Sequence, residues 1–160
     1  MTMSRHRLSR PLGLALMGAT LFTLAGALMS PADAVTGCGS ACDGKDPNTY
    51  VWNGATCGAD AVTKSSANEP GGSSNKVELR YSPRCRTAWG RGRSDYTIDV
   101  YSYYSSGSRR TSAYSGYNLF VPGSNSNWTA MVNDAGYTAR ACMTFWSDYD
   151  GSDTTCTNKY

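Results

Sequence analysis

The stretch from Lys76 to Ser82, KVELRYS, decides the fold class because apolar and polar side chains alternate along it. On an extended chain Val77, Leu79 and Tyr81 face one side, and the polar residues between them face the other. A period of two is typical of a β-strand with one face in an apolar core. The stretch therefore predicts a half-buried strand near the middle of the chain.

Further strands are predicted on the C-terminal side. Residues 96–104 alternate in the same way, residues 105–108 read as a turn, and residues 109–114 can return as the second arm of a hairpin. The other strand candidates are residues 118–121, 137–146 and 154–160, with residues 148–153 as the turn between the last two. These elements predict a sheet-based domain.

The remaining segments are irregular. Residues 35–62 are dense in Gly, Asp, Asn and Pro and predict stapled loops and turns, and the Ser- and Gly-rich residues 63–75 predict an exposed loop. Only residues 128–135 can hold a turn or two of helix. The predicted fold is mainly β, a small disulfide-stapled sandwich or barrel with long loops and little helix.

Cysteine usage indicates the redox compartment. The chain has six cysteines, and all of them lie downstream of a candidate export signal: Cys38, Cys42, Cys57, Cys85, Cys142 and Cys156. An even set in a small exported domain predicts up to three disulfides. Because a turn-rich stretch separates Cys142 from Cys156, we expect these two to pair, which leaves three arrangements for the other four.

The first 34 residues have the features of a signal peptide. Three arginines precede an uncharged apolar run over residues 14–29, which is too short and wrongly flanked for a membrane span. Ala32-Asp33-Ala34 then gives a small-x-small cleavage pattern. We expect cleavage after Ala34, so that residues 35–160 form a single secreted, disulfide-rich β domain.

An alternative places a lipid on Cys38, because Val35-Thr36-Gly37-Cys38 resembles a relaxed lipobox. Two observations favour simple cleavage. Residues 30–34, which include a proline and an aspartate, separate the apolar run from the cysteine. Lipidation would also leave an odd number of thiols in an oxidising space.

Composition predicts a thin core built from aromatic side chains and cystines. Residues 35–160 contain one Ile, two Leu and seven Val, against eleven Tyr and four Trp. Disulfides offset so small an aliphatic content by restricting the unfolded chain. The same residues carry twelve basic and eleven acidic side chains, so global charge does not indicate nucleic acid.

Residue types limit the chemistry. The only histidine, His6, lies in the export segment, which removes Ser-His-Asp and Cys-His catalysis, a His-liganded zinc and the usual general base of secreted nucleases. Asp148, Asp150 and Asp153 form a weak calcium candidate, because alternate aspartates with a glycine can wrap a hard cation. The distal glutamate of an EF-hand is absent. We expect no enzyme activity and no cofactor.

Two groups of side chains are candidate binding surfaces. Arg84, Arg86, Arg91 and Arg93 form a candidate anion patch, although partial pairing with nearby carboxylates is the simpler interpretation. Tyr101, Tyr103 and Trp128 form a candidate stacking platform for sugar rings. Tyrosine is also a common strand residue, so a structural role is the alternative.

Two stretches carry a resemblance to a known family. CGSACDGKDP spans residues 38–47 and is followed by Cys57, and VELRYSPRCRTAWGR spans residues 77–91. Together they resemble a family of uncharacterised small secreted actinobacterial proteins, a domain of unknown function. Its patterns are Cys-x-Gly-Lys-Asp-Pro and Glu-Leu-Arg-Tyr-Ser-x-x-Cys-x-x-x-Trp-x-Arg. The resemblance implies secretion and a shared disulfide scaffold, and it implies no activity.

The sequence is best interpreted as that of a secreted, non-catalytic binding protein. Cell-wall or other extracellular polysaccharide is the first candidate partner and a protein the second, with no nucleic acid expected and no membrane after signal cleavage. The alternative is a secreted inhibitor of a foreign enzyme, which would present a rigid protruding loop such as residues 63–75. A histidine-free enzyme is the third reading and requires a concave site with a perturbed carboxylate.

Overall fold

A computed structural model describes residues 37–69, 74–94, 96–116, 126–147 and 151–160, without the side chains of residues 111–116, 146 and 147. Eleven strands and two short 3-10 turns occur within these ranges. The strands are β1 (Val51–Trp52), β2 (Ala55–Thr56), β3 (Val62–Asn68), β4 (Lys76–Ser82), β5 (Thr87–Arg93), β6 (Thr97–Tyr103), β7 (Arg109–Gly116), β8 (Ser126–Trp128), β9 (Val132–Asn133), β10 (Thr138–Ser147) and β11 (Gly151–Cys156). The prediction of a mainly β fold with little helix is confirmed. No helix in these ranges is long and apolar enough to cross a membrane.

Two antiparallel sheets form the body of the domain. Sheet 1 has the order β3-β4-β5-β8, with β9 also paired to β5, and sheet 2 has the order β11-β10-β6-β7. The predicted hairpin of residues 96–114 is confirmed as the β6–β7 pair. Strands β4 and β5 pack against β10, and β5 packs against β6, so the two sheets form a sandwich.

The sandwich core is small and aliphatic. It contains side chains from β4, β5, β6, β9 and β10: Val77, Leu79, Ala88, Ile98, Val100, Val132, Ala139, Ala141 and Met143. Two glycines on β5 let the sheets approach closely, because an added Cβ would lie 2.8 Å from Ile98 Cγ2 at Gly90 and 2.5 Å from Ile98 Cδ1 at Gly92. The predicted aromatic core therefore lies elsewhere.

A third layer covers the outer face of sheet 1. Residues 37–61, here called the stapled layer, contain both 3-10 turns and the β1–β2 hairpin. A second apolar cluster lies between this layer and the sheet: Cys38, Cys42, Cys57, Cys85, Trp89 and Met131, with Tyr50, Trp52, Ala61 and Trp128 packed against it. The expected aromatic and cystine core is this cluster.

The stapled layer explains why β4 buries both faces. Val77 and Leu79 point into the sandwich as predicted, but Glu78 is 7% exposed and Ser82 is fully buried. The Ser82 hydroxyl donates to Asp60 of the stapled layer at 2.6 Å. A strand predicted to be half-buried is thus covered on its polar face by a layer that hydrogen-bonds to it.

All six cysteines form disulfides: Cys38–Cys42, Cys57–Cys85 and Cys142–Cys156. The predicted Cys142–Cys156 pair is confirmed, since these residues lie directly opposite each other on β10 and β11. The other two bridges select one of the three arrangements left open. Because the sulfur of Cys38 is bonded to that of Cys42, it is not available for a lipid in this structure.

Three local predictions are wrong. Residues 151–153, expected in a turn, are the first residues of β11, which ends at Cys156. Residues 63–68, expected in an exposed loop, belong to β3, the edge strand of sheet 1; its polar Thr, Lys and Ser residues hide the alternation that marks the inner strands. Residues 128–135 contain no helix, because β8 ends at Trp128 and β9 pairs with β5. The signal segment 1–34, the strand predicted at 118–121 and the aspartates Asp148 and Asp150 lie outside the described residues.

Candidate binding groove

A cleft of about 530 Å³ lies between sheet 1 and the stapled layer. Its floor comes from the outer face of β4, β5 and β8, and its far wall comes from residues 46–49 and Gly58. We call it the aromatic pocket because two indoles line it. A cleft of this size can hold a ligand of one or two sugar rings.

Strand register places four side chains of the floor next to one another. Arg80 pairs with Trp89, and Arg91 pairs with Trp128, on neighbouring antiparallel strands. Directly opposed residues project to the same face of a sheet, so these four side chains form a contiguous row. Trp89 is only 4% exposed and forms the base, with Arg80 and Arg91 on neighbouring strand positions.

The half-buried ring of Trp128 is fixed by a hydrogen bond. Its Nε1 donates to Asp46 Oδ1 at 3.2 Å, and the same oxygen accepts the backbone N–H of Asn48 at 2.9 Å. Asp46 thus closes a local turn in the stapled layer and also orients the indole. The pocket wall therefore needs little reordering when a ligand binds.

Arg80 is held at the edge of the pocket. Its Nη1 donates to the Thr63 hydroxyl at 2.7 Å, and its Nη2 donates to the Ala61 carbonyl at 3.0 Å. Burial lowers the pKa of Arg80, repulsion from Arg91 lowers it further, and Glu78 acts in the opposite direction. Two guanidinium groups that repel each other in one cleft create a positive field there.

A second cleft of about 170 Å³ continues from the first. It shares Arg91 and Ser126 with the aromatic pocket and adds Lys76, Glu78 and Arg93. We call it the cationic pocket, and the two together the outer groove. The buried Glu78 carboxylate is paired with Lys76 at 3.2 Å and with Arg91 at 2.8 Å.

Arg93 lies at the end of the cationic pocket. Its Nη1 donates to Asn75 Oδ1 at 3.1 Å, and its guanidinium lies 5.5 Å from the centroid of the Tyr96 ring. The side chain is thus supported from two sides. The same Asn75, which also lines this pocket, donates to the Glu69 carboxylate at 2.7 Å, so a second carboxylate lies directly behind the pocket wall.

The structure divides the predicted anion patch. Arg91 and Arg93 lie two residues apart on the outer face of β5 and line the outer groove. Arg84 and Arg86 instead lie on the turn before β5, where the Arg84 N–H donates to Asp60. Of the predicted stacking residues, only Trp128 is in the groove.

Tyr101 and Tyr103 lie on sheet 2, away from the groove lining. Tyr103 is 7% exposed, and Lys159 Nζ lies 3.7 Å from its ring centroid. Its ring therefore does not offer the open stacking face that we predicted. The half-exposed Tyr101 has Arg109 5.1 Å from its ring centroid and hydrogen-bonds to Asp99, whose pKa is raised by burial.

Among the described residues, Asp134 has the carboxyl group whose pKa is raised most. It lies between β9 and β10 and does not line the groove. Burial raises its pKa to about 7, and the positive charges of Arg86 and Lys64 partly oppose that shift. Among the described residues, no group hydrogen-bonds to its Oδ1. The outer groove and this carboxylate are therefore separate.

Two groups of side chains are candidate metal ligands. The sulfurs of Cys38, Cys42, Cys57 and Cys85 all lie within 4.8 Å of one another, but they form two disulfides and so are not thiolate ligands. In the predicted calcium loop only Asp153 is described, and its Oδ1 accepts the N–H of Thr154. Neither observation supports a metal.

Arg80, Trp89 and Asp46 were not predicted as binding residues. All three lie in the two motifs that carried the family resemblance, which was the available signal.

The family model described as "Protein of unknown function (DUF2690)" matches residues 40–142, so the chain belongs to that family. No curated protein and no solved structure matches the chain.

Proposed function

We propose that this member of the DUF2690 family is a secreted, non-catalytic binding protein whose ligand, an extracellular polysaccharide, occupies the outer groove. The observation that carries the proposal is the row of Arg80, Trp89, Arg91 and Trp128 on the floor of one cleft. Indole rings pack on the apolar face of a sugar, and guanidinium groups donate hydrogen bonds to its oxygens. The cleft has both indole rings and guanidinium groups among its lining side chains.

Secretion is part of the proposal. Its support is the composition of residues 1–34 together with three disulfides in a chain of this size. The resemblance of residues 38–47 and 77–91 to secreted actinobacterial proteins adds to it. Actinobacterial walls and exopolysaccharides are accordingly the first materials to test.

The groove favours binding over catalysis. The two carboxylates among its described lining residues, Asp46 and Glu78, hold neighbouring side chains: Asp46 orients Trp128, and Glu78 is paired with Lys76 and Arg91. Glycoside hydrolysis needs one carboxyl group to donate a proton and a second to attack or to activate water. Residues already engaged in building the walls are poor candidates for both roles.

The alternative hypothesis, a secreted inhibitor of a foreign enzyme, has less support. It needs a rigid loop that protrudes between disulfides, and residues 63–75 were the candidate. Residues 62–68 instead form an edge strand paired with β4, and residues 70–73 lie outside the described residues. The part of this segment that is hydrogen-bonded into the sheet is not a free protruding loop.

Retention on insoluble polysaccharides and purified cell walls tests the proposal. The oxidised mature protein should be retained, and Trp128→Ala should reduce retention at least about tenfold by removing the stacking wall. Tyr104→Ala is the matched control, because Tyr104 is 45% exposed and lies outside the groove lining. Thermal unfolding of each variant shows that the fold is kept.

Three results would contradict the proposal. Equal retention of Trp128→Ala and the wild type would place the site elsewhere. Failure to bind any polysaccharide would favour the inhibitor reading. Release of reducing ends from a bound polymer would show an enzyme.

A further inference from the structure

The two pockets of the outer groove differ in chemistry although they share a wall. The aromatic pocket has Trp89 and Trp128, whereas the cationic pocket has no aromatic ring among its lining residues in the described part of the chain. Arg91 and Ser126 line both, so one ligand can extend from the first pocket into the second. A ligand that fills both must carry two kinds of group next to each other.

Basic side chains outnumber acidic ones among the described lining residues of the cationic pocket. These residues include Lys76, Arg91 and Arg93 and one carboxylate, that of Glu78, while the carboxylate of Glu69 lies behind Asn75. The Glu78 side chain is 9% exposed, while the Lys76 and Arg91 side chains are 54% and 45% exposed. The negative charge is thus buried and the positive charges face solvent, where an incoming anion meets them first.

The groups of this pocket are held in place before a ligand arrives. Glu78 bridges Lys76 and Arg91, and Asn75 and Tyr96 support Arg93. Guanidinium groups in fixed positions bind carboxylate or phosphate oxygens with charge-assisted hydrogen bonds. Preorganisation of this kind lowers the entropy lost on binding.

We propose that the ligand of the outer groove is an acidic glycan, with a sugar ring against Trp128 and an oxyanion substituent of that ring or its neighbour in the cationic pocket. This inference rests on the proposed function and narrows its ligand class. A carboxylate, as in a uronic acid, and a phosphate, as in a phosphodiester-linked wall polymer, share the chemistry that the pocket recognises. Neutral glucans and chitin-like polymers lack it.

Matched pairs of polymers test the proposal. Polygalacturonate is compared with the same polymer after reduction of its carboxyl groups, and phosphodiester-bearing cell wall with wall from which the phosphate polymer has been removed. The wild-type protein should bind at least one acidic member about tenfold more tightly than its neutral partner. Affinity for that acidic polymer should fall as salt rises.

Two variants locate the effect. Lys76→Gln and Arg93→Gln should each weaken binding to the acidic polymer about three- to tenfold and weaken binding to the neutral partner less. Arg84→Gln is the matched control, since Arg84 lies on the turn before β5 and not in the groove. Thermal unfolding confirms that each variant is folded.

The outcomes separate this inference from the proposed function. Equal binding to acidic and neutral partners, with loss of both in Trp128→Ala, overturns the acidic ligand and leaves the groove as a polysaccharide site. A preference for acidic polymers that Arg84→Gln weakens as much as Lys76→Gln and Arg93→Gln also overturns it. Failure of every polymer to bind overturns both.

Discussion

The guanidinium of Arg110 lies 2.9 Å from the carboxylate of Asp43, and both side chains are only 10% exposed although 67 residues separate them. Asn133 of β9 connects the pair, because its N–H donates to Asp43 Oδ1 at 2.6 Å and its carbonyl accepts from Arg110 Nη1 at 3.1 Å. Arg110 also lies 4.4 Å from the centroid of the Tyr137 ring. This pair joins the stapled layer to sheet 2 past the edge of sheet 1.

Removing one partner of this pair should destabilise the domain strongly. Arg110→Ala leaves the Asp43 carboxylate buried without its cation, which typically costs about 3–5 kcal/mol of unfolding free energy. Arg109→Ala is the matched control: Arg109 is exposed, so the loss should stay within about 1 kcal/mol. Denaturant unfolding measures both, and similar losses for the two variants would contradict the assignment.

Asp134 should make stability fall as pH rises. Its pKa is about 7 in the folded protein against an ordinary value of 3.8, because burial disfavours the charged form. Between these values the native state holds a proton that the unfolded chain has released. The free energy of unfolding should therefore decrease from about pH 4 to pH 7, by at most about 4 kcal/mol, and change little above.

Asp134→Asn tests that assignment. The variant should lose most of the pH dependence and be more stable than the wild type at pH 8. Asp153→Asn, at an exposed position, serves as the control and should keep the wild-type profile. An unchanged slope in Asp134→Asn would show that another group is responsible.

Gly90→Ala should cost more stability than Gly92→Ala. The added methyl at Gly90 meets Ile98 Cγ2 at 2.8 Å and the Ala141 Cβ at 3.3 Å; the first moves only if χ1 of the buried Ile98 changes, and the second is fixed to the backbone. At Gly92 it meets Ile98 Cδ1, the mobile end of that side chain. We expect a loss of about 1–3 kcal/mol at Gly90 by overpacking, measured by denaturant unfolding. A larger loss at Gly92 would refute this picture of sheet packing.

The two bridges of the stapled layer should differ in their contribution. Cys57–Cys85 closes a loop with a sequence separation of 28, and Cys38–Cys42 one of 4. Loop-closure entropy predicts a loss of roughly 3.6 kcal/mol for replacing the first pair by alanine and roughly 2 kcal/mol for the second. Thermal or denaturant unfolding of the two double variants gives the comparison, and the reverse order would contradict the entropic account.

Sequence patterns anticipated the inner strands well and the outer strands of sheet 1 poorly. Alternation marked β4 and β6 because each buries apolar side chains in the sandwich core. Strand β3 has a polar face toward solvent and little apolar content. No pattern in its sequence marks it as a strand, and only its hydrogen-bonded pairing with β4 identifies it. Strands β8 and β9 are too short for a period to be read.

The groove was only partly predictable for a similar reason. Arg91, Arg93 and Trp128 were predicted as candidate binding residues, whereas Arg80 and Trp89 were not. Their meeting depends on the strand register and on the stapled layer, whose Asp46 reaches Trp128 across 82 residues. Composition does not show that Asp46 and Trp128 lie close together in space. The sequence also left three disulfide arrangements open, and the structure has one of them.

The cystine Cys57–Cys85 has a consequence for when the protein becomes competent to bind. It attaches the stapled layer, which supplies the far wall of the groove, to the turn that leads into β5. The sandwich core between the sheets contains no cysteine. A chain in which this bridge is reduced is therefore expected to pair its two sheets with lower stability and to lack a firmly closed groove. Under the proposed secretion, oxidation would act as the maturation step, and ligands in the reducing interior of the producing cell would not be captured before export.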